Sequence, residues 1–175
     1  ESLAPYYYYK KFHGVFSAMT IDIGGGTTDI AVFKEGKAKW LSSFKFGGNA
    51  LFGDGYGLSP DRNGFVQKYH DLIVSKVKDS GSFETSGLDL LSNSLSRKRS
   101  GDIVSDYFEL ESFIEKVNFS KDLEQDEQLK ICVLLFYSAI VYHATKLIIL
   151  NNDQIPRHIA FSGTASKVLN ILDTD

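Results

Sequence analysis

The stretch of sequence that decides the fold is Ile21-Asp22-Ile23-Gly24-Gly25-Gly26-Thr27-Thr28-Asp29-Ile30-Ala31-Val32. Apolar and polar residues alternate before the glycines, and an apolar run resumes after them, so this pattern predicts two β-strands. Three consecutive glycines are more than a two-residue hairpin turn needs. Because glycine has no Cβ, such a loop can turn sharply and bring its backbone N–H groups close to an anion. The stretch therefore predicts a hairpin with a candidate phosphate loop, Gly24 to Gly26.

Polar side chains surround this loop. Thr27 and Thr28 add hydroxyl donors, and Asp22 places a carboxylate at the end of the first strand. A carboxylate beside bound phosphate suits a hydrated Mg²⁺ ion, or it can orient an attacking water. We expect Asp29 to be structural and to accept N–H bonds across the loop. A glycine-rich hairpin that binds no ligand has the same spacing, so the residues alone leave both interpretations open.

The segments on either side extend the strand pattern. A turn over 34–37 and a third strand over 38–46 predict a three-stranded antiparallel meander. Further elements are predicted from their spacing: a short helix over 1–13, a helix over 65–77, a short strand over 158–161, a small-residue turn over 162–166 and a final helix over 167–172. The fold class that follows is α/β.

Residues 79–127 stand apart in composition. The first part, 79–101, is rich in Ser and Gly and predicts a surface insertion. The second part, 102–127, holds nine acidic and two basic residues and predicts one solvated amphipathic helix. We therefore expect a single lobe over 1–175 in which 79–127 forms an insertion or a small subdomain.

The apolar segment 131–150 is long enough to cross a bilayer. It also contains polar groups such as Lys146, and its strongest apolar positions recur at helical spacing. These features predict a buried core helix, with no direct membrane insertion, in which Cys132 is a packed thiol.

Composition restricts the cellular setting and the partners. Apolar residues make up 43% of the 175 and charged residues 23%, as in a soluble globular domain. A net charge of −3 gives no reason to expect a nucleic-acid partner. The single cysteine cannot form an internal disulfide, which favours a reducing, cytoplasmic compartment. The chain resembles a piece of a longer protein, since it starts at Glu1 without an initiator Met.

The stretch from Ile21 to Val32 resembles the second phosphate-binding motif of a large superfamily. Its members include actin, the seventy-kilodalton heat-shock chaperones, hexokinase and bacterial relatives in cell division and filament formation. The order of an Asp, three glycines, a Thr and a second Asp is most similar to the chaperone and bacterial cell-division branch. The resemblance implies a ribonuclease-H-like lobe in which Gly24, Gly25, Gly26 and Thr27 contact the β- and γ-phosphates, while Asp22 acts through Mg²⁺ and water.

Three further segments agree with this resemblance in order and spacing. Gly47 and Gly48 follow the third strand, where a paired glycine lies near the ribose in that family. The run from Ile159 to Ser166 resembles the adenosine motif, which implies that Gly163, Thr164 and Ser166 lie near the purine; Ser162 replaces the first of the usual two glycines. Glu1 resembles a water-positioning Glu of the helix that connects the lobes.

The function implied is ATP and Mg²⁺ binding as one lobe of an actin- or chaperone-like ATPase. The family's first phosphate motif has no counterpart here, so the expected partner is a first lobe of the same protein, and we expect little hydrolysis by this chain alone. The alternatives are a non-hydrolysing nucleotide-dependent assembly or scaffold module, which self-assembles or binds a protein client, and, less favoured, a sugar or acid kinase lobe.

Overall fold

A computed structural model of the chain describes residues 17–35, 37–53, 64–78, 100–112, 114 and 117–172. Glu1 and the helix predicted over 1–13 lie outside these residues, as does most of the expected surface insertion over 79–101.

A four-stranded sheet forms the centre of the fold. Its strands are β1 (Ser17–Ile23), β2 (Thr28–Lys34), β3 (Lys37–Phe44) and β4 (His158–Ser162), in the order β3-β2-β1-β4. The first three strands pair antiparallel in chain order, whereas β4 pairs parallel to β1, with Asp22 opposite Ser162. The sheet is therefore mixed rather than a simple antiparallel meander, and the chain is mixed α/β.

All the described α-helices lie between β3 and β4 in the chain. They are α1 (Gly48–Leu51), α2 (Gly64–Lys78), α3 (Ser100–Glu111), α4 (Phe119–Glu124) and α5 (Glu127–Leu150). A 3-10 helix, Thr164–Leu172, follows β4. A crossover connection through helices is what a parallel strand pair such as β1 and β4 requires. One face of the sheet shares a single hydrophobic core with these helices; its buried members on the strands are Met19, Ile21, Ile23, Ile30 and Val32.

The prediction of one solvated amphipathic helix over 102–127 is wrong in the number of helices. The segment forms two helices, and the second begins where the Asn118 side chain accepts a hydrogen bond from the Lys121 N–H. Each helix is amphipathic and buries one side, with Tyr107 and Phe119 in edge-to-face contact inside the core. Among the described acidic residues of this segment, Asp102, Glu109, Glu124 and Glu127 are exposed, whereas Asp106 is buried. A division of 79–127 from the rest of the lobe stays a prediction.

Helix α5 has two different faces. Leu129, Val133, Phe136, Ile140 and Ala144 are buried, as their spacing predicts. The opposite face is apolar but exposed, with Leu135 65% exposed, and the prediction that Cys132 is packed is wrong because this thiol lies on the exposed face. Among the described residues α5 is the one helix long and apolar enough to cross a bilayer, and its stripe in the core is consistent with a soluble protein.

Both ends of α5 are anchored by aspartates. At the start, Asp126 caps the helix by accepting from the Leu129 N–H, and it also accepts from the Tyr69 hydroxyl and the Lys68 ammonium at 2.7 Å each. Partial burial opposes ionisation of Asp126, but these three donors outweigh it and lower its pKa to about 2. Beyond the end, Asp153 pairs with Lys39 and accepts from Trp40 Nε1 at 2.7 Å. These contacts fix α5 against α2 and the edge strand β3.

Candidate functional site

Three loops meet at one end of the sheet. The first loop joins β1 to β2 and contains Gly24 to Thr27, and the second follows β3 and contains Gly47 and Gly48, the start of α1. The third follows β4 and spans 163–166; it consists of Gly163 and the first residues of the 3-10 helix, which begins earlier than the helix predicted over 167–172. The first and third loops leave the carboxyl ends of the parallel strands β1 and β4. Open α/β sheets bind ligands in this position, outside the carboxyl ends of neighbouring parallel strands.

The glycine loop and the glycine pair are joined through their backbones. The Gly48 N–H donates to the Gly24 carbonyl at 2.9 Å, and the Asn49 N–H donates to the Gly25 carbonyl at 2.7 Å. Within the first loop, the Gly24 N–H donates to the Thr27 carbonyl at 3.0 Å. These bonds use the carbonyl groups of the loop and give it one defined shape.

The glycine pair tolerates no side chain. A Cβ at Gly47 would lie 2.7 Å from the carbonyl oxygens of Gly24 and Gly25, and a Cβ at Gly48 would lie 2.9 Å from the Cβ of Ala165. Both distances are shorter than non-bonded atoms allow. The pair is therefore glycine because the second loop touches the first and third loops at once.

The third loop closes against the first strand at Gly163. This residue has a φ of +88°, which favours glycine, and a Cβ there would overlap both the Asp22 carboxylate and the Ile23 backbone. The loop carrying the proposed adenosine motif thus lies directly on the carboxylate expected to act with Mg²⁺. The structure brings together Asp22, the three glycines, the glycine pair and the turn 163–166.

Two of the predicted hydroxyl groups hold the loops in place. Thr28 is buried, and its hydroxyl donates to the Phe46 carbonyl at 2.5 Å. The Ser166 hydroxyl donates to the Gly163 carbonyl at 2.6 Å and so closes its own turn. By contrast, Gly26, Thr27 and Thr164 are exposed. The most exposed residues at this end of the sheet are therefore the tip of the glycine loop and the start of the third loop.

Asp22 and Asp29 face each other across β1 and β2 in the strand register, at the edge of the site. The expectation that Asp29 accepts N–H bonds across the loop is not met, because its carboxylate accepts no hydrogen bond from any described residue. Beside Asp22, the Ser162 hydroxyl is buried and has no hydrogen-bond partner among the described residues. A buried hydroxyl without a partner is uncommon, and here it lies where the parallel strands end.

The described acidic and metal-ligating side chains are dispersed. The described residues contain no cluster of three or more His, Cys, Asp or Glu side chains. Mg²⁺ in nucleotide sites commonly takes one or two carboxylates, with phosphate oxygens and water completing the shell. The carboxylate of Asp22 fits a Mg²⁺ site of this kind, in which phosphate oxygens and water supply the other ligands.

Two neighbouring aromatic residues of α5 contact the second and third loops. The Phe136 ring stacks on Phe46, which precedes the glycine pair, with centroids 4.8 Å apart. The buried Tyr137 hydroxyl donates to the Ala165 carbonyl at 2.8 Å. The sequence reasoning missed both roles. The available signal was a tyrosine on the apolar stripe of a core helix, since a buried tyrosine hydroxyl usually finds a hydrogen-bond partner.

No known protein family matches this chain, and a search of characterised proteins also finds no match. The motifs and the geometry of the three loops are therefore the features that indicate a function.

Proposed function

We propose that this chain is a ribonuclease-H-like lobe of an actin- or chaperone-like ATPase, and that its three loops form one wall of a cleft for ATP with Mg²⁺. The observation that carries this proposal is the contact between three segments that are far apart in sequence. Gly47 and Gly48 touch the glycine loop and Ala165, while Gly163 touches Asp22. A connection between strands needs no such mutual contact, whereas a single ligand that spans phosphate, sugar and base does.

The loops fit a nucleotide in the order of its parts. In the loop Gly24 to Thr27, the backbone N–H groups after Gly24 and the exposed Thr27 hydroxyl would bind the β- and γ-phosphates, since the Gly24 N–H already donates to the Thr27 carbonyl. Gly47 and Gly48 would line the ribose side. The turn from Gly163 to Ser166 would pack against the purine, with Thr164 exposed toward it.

Among the described residues, Asp22 is the carboxylate that lies against the third loop, at Gly163. It would hold Mg²⁺ through water and would orient the water that attacks the γ-phosphate; Mg²⁺ supplies neutralisation of phosphate charge. Phosphoryl transfer depends on positioning and on charge neutralisation from every side of the phosphate. This chain offers one such side, so we expect hydrolysis only together with a first lobe of the same protein, in a reducing cytoplasm.

The experiment that tests this function is calorimetric binding of Mg²⁺-ATP to the intact protein, with ATP hydrolysis followed in parallel. The Asp22→Ala variant is the comparison, because removing a carboxylate relieves rather than creates crowding at Gly163. Binding with turnover that is lost in the variant supports the ATPase. Absence of ATP binding by the wild-type protein contradicts the proposal.

A second candidate function is a non-hydrolysing assembly module. It is favoured by a groove of about 500 Å³ beside the edge strand β4, whose lining is mostly apolar: Leu134, Tyr137, Ser138, Val141, Tyr142, Phe161, Leu169 and Leu172. Exposed apolar surface of this kind marks protein contact sites. ATP binding without turnover, accompanied by ATP-dependent assembly in analytical ultracentrifugation, would favour this candidate over the ATPase.

A further inference from the structure

The Tyr137 hydroxyl lies directly beneath the third loop of the site. It donates to the Ala165 carbonyl at 2.8 Å, and the pair is separated by 28 positions in the chain. Tyr137 is buried, and burial raises the pKa of its phenol above the ordinary value. The group is therefore a neutral donor at physiological pH, and its proton is committed to one backbone carbonyl.

This hydrogen bond determines where the turn 163–166 sits. We propose that Tyr137 is a positioning residue for the purine side of the nucleotide site, acting through Ala165. The inference rests on the proposed function. It extends that function by naming a side chain on α5 that supports the purine side of the site. The Tyr137 side chain acts through Ala165 and does not itself touch the ligand.

The geometry around Ala165 explains why a small displacement matters. The Cβ of Ala165 faces Gly48 so closely that a Cβ on Gly48 would lie only 2.9 Å away. The turn is thus held between the tyrosine hydroxyl on one side and the glycine pair on the other. If the hydroxyl is removed, the turn keeps its contact with Gly48 but loses the hydrogen bond that holds the Ala165 carbonyl against α5.

The aromatic packing limits the motion of the tyrosine itself. Its ring packs edge-to-face against Phe136 and Phe161, with centroids 5.5 and 5.8 Å apart. Tyr137→Phe retains this ring and its contacts and removes only the hydroxyl oxygen. The variant therefore separates the hydrogen bond from the packing of the core.

The phosphate side of the site has separate support. The glycine loop is held by backbone bonds from Gly48 and Asn49, and the residue before the glycine pair is stacked on Phe136. None of these contacts involves the Tyr137 hydroxyl. We therefore expect a loss of that hydroxyl to weaken binding of the adenosine part of a ligand and to spare binding of its phosphates.

The chain offers a matched control in Tyr107. This tyrosine is also buried, and its hydroxyl also donates to a backbone carbonyl, that of Val66 at 3.3 Å. It lies on α3 and contacts none of the three loops through that bond. Tyr107→Phe therefore removes a buried tyrosine hydroxyl whose hydrogen bond to Val66 does not involve the Ala165 carbonyl.

The test measures two ligands against the intact wild-type protein, Tyr137→Phe and Tyr107→Phe by calorimetry: Mg²⁺-ATP and inorganic triphosphate with Mg²⁺. We expect Tyr137→Phe to weaken Mg²⁺-ATP binding roughly three- to tenfold, the effect of one hydrogen bond, with triphosphate affinity changed less than about twofold. Tyr107→Phe should leave both affinities at the wild-type level.

The outcomes distinguish this inference from the proposed function. If wild-type protein binds Mg²⁺-ATP and Tyr137→Phe binds it equally well, the positioning role is refuted and the nucleotide site stands. A parallel loss of ATP and triphosphate affinity also refutes it, because the effect is then not confined to the purine side. If the wild-type protein binds neither ligand, the proposed function fails and the positioning role fails with it.

Discussion

Gly163 lies so close to Asp22 that a Cβ at position 163 would overlap the Oδ1 atom of the carboxylate. The two residues come from different strands, and the parallel pairing of β1 with β4 brings them together. The contact joins the loop assigned to the purine with the carboxylate assigned to Mg²⁺. Substitutions at the glycines of the site therefore test the geometry directly, even before any ligand is known.

Substitution of Gly163 by alanine should destabilise the fold. The new Cβ meets the Asp22 carboxylate and the Ile23 backbone, and the residue must keep a positive φ that disfavours side chains. We expect a loss of about 2–4 kcal/mol in the free energy of unfolding, measured by urea denaturation. The double variant with Asp22→Ala should recover only part of this loss, since the Ile23 backbone remains in place. Full wild-type stability in Gly163→Ala would contradict the contact.

Gly47→Ala should destabilise the fold, whereas Gly26→Ala should leave its stability nearly unchanged. A Cβ at Gly47 falls 2.7 Å from two backbone oxygens that cannot move aside, so we expect a loss of about 2–4 kcal/mol in the free energy of unfolding. A Cβ at Gly26 meets no atom within 4 Å, so stability should change by no more than about 1 kcal/mol.

The same pair of variants separates folding from binding. Because Gly26 forms the exposed tip of the proposed phosphate loop, Gly26→Ala should weaken Mg²⁺-ATP binding although the fold is retained. Circular dichroism and calorimetry on one preparation give both quantities. Unchanged ATP affinity in Gly26→Ala would argue against close approach of phosphate to the loop tip.

Acid should selectively remove the contribution of Asp126. Its pKa in the folded chain is about 2, below the value of about 3.9 for an unfolded aspartate. A depressed pKa stabilises the fold above the unfolded value, and this stabilisation is lost as pH falls from about 4 toward 2. The Asp126→Asn variant keeps an oxygen that caps α5 but carries no charge, so it should lose less stability over that range.

Urea denaturation of wild type and Asp126→Asn at several pH values checks this prediction. At pH 7 the wild type should be the more stable, and the difference should shrink between about pH 4 and pH 2. At pH 7 the free energy of unfolding of Asp126→Ala should be about 1–2 kcal/mol lower than that of wild type, because this variant also loses the helix cap. A difference between wild type and Asp126→Asn that is constant with pH would contradict the assignment.

Trp40 should report on the anchor at the end of α5. It is the chain's single tryptophan, and its Nε1 donates to Asp153, whose side chain is only 6% exposed. Asp153→Ala should destabilise the fold by about 1 kcal/mol or more and shift the fluorescence maximum, because the indole loses its acceptor. Lys39→Ala is the control: this partner is 42% exposed, so its loss should cost no more than about 1 kcal/mol. An unchanged emission spectrum in Asp153→Ala would contradict the hydrogen bond.

The strands around the glycine loop could be predicted because their signals are local. Alternation of polar and apolar residues identifies a half-buried strand without knowledge of its partners, and β1 and β2 formed where the alternation and the apolar run lie. The helices over 64–78 and 127–150 followed their periodic spacing in the same way. The glycine pair was also visible in sequence as an interruption after the third strand.

The errors arose where periodicity does not tell which elements meet. Helical spacing placed Cys132 with the buried stripe of α5, but the helix packs only on one side and Cys132 turns outward. The sequence predicts one solvated amphipathic helix over 102–127, whereas the segment forms two helices whose apolar residues meet in the core beside Phe119. In both cases burial depends on a neighbouring element that the local pattern does not specify.

Some features of the site follow from local sequence, and others follow only from the tertiary structure. Local sequence was enough to identify the strands, the glycine loop and the small-residue turn, because dihedral freedom and hydrophobic period belong to short segments. The contact of Gly163 with Asp22, that of Gly48 with Ala165, and the hydrogen bond from Tyr137 to Ala165 depended on the folded chain. They arise from strand pairing and close packing between distant segments, and such contacts exist only when the whole core is assembled.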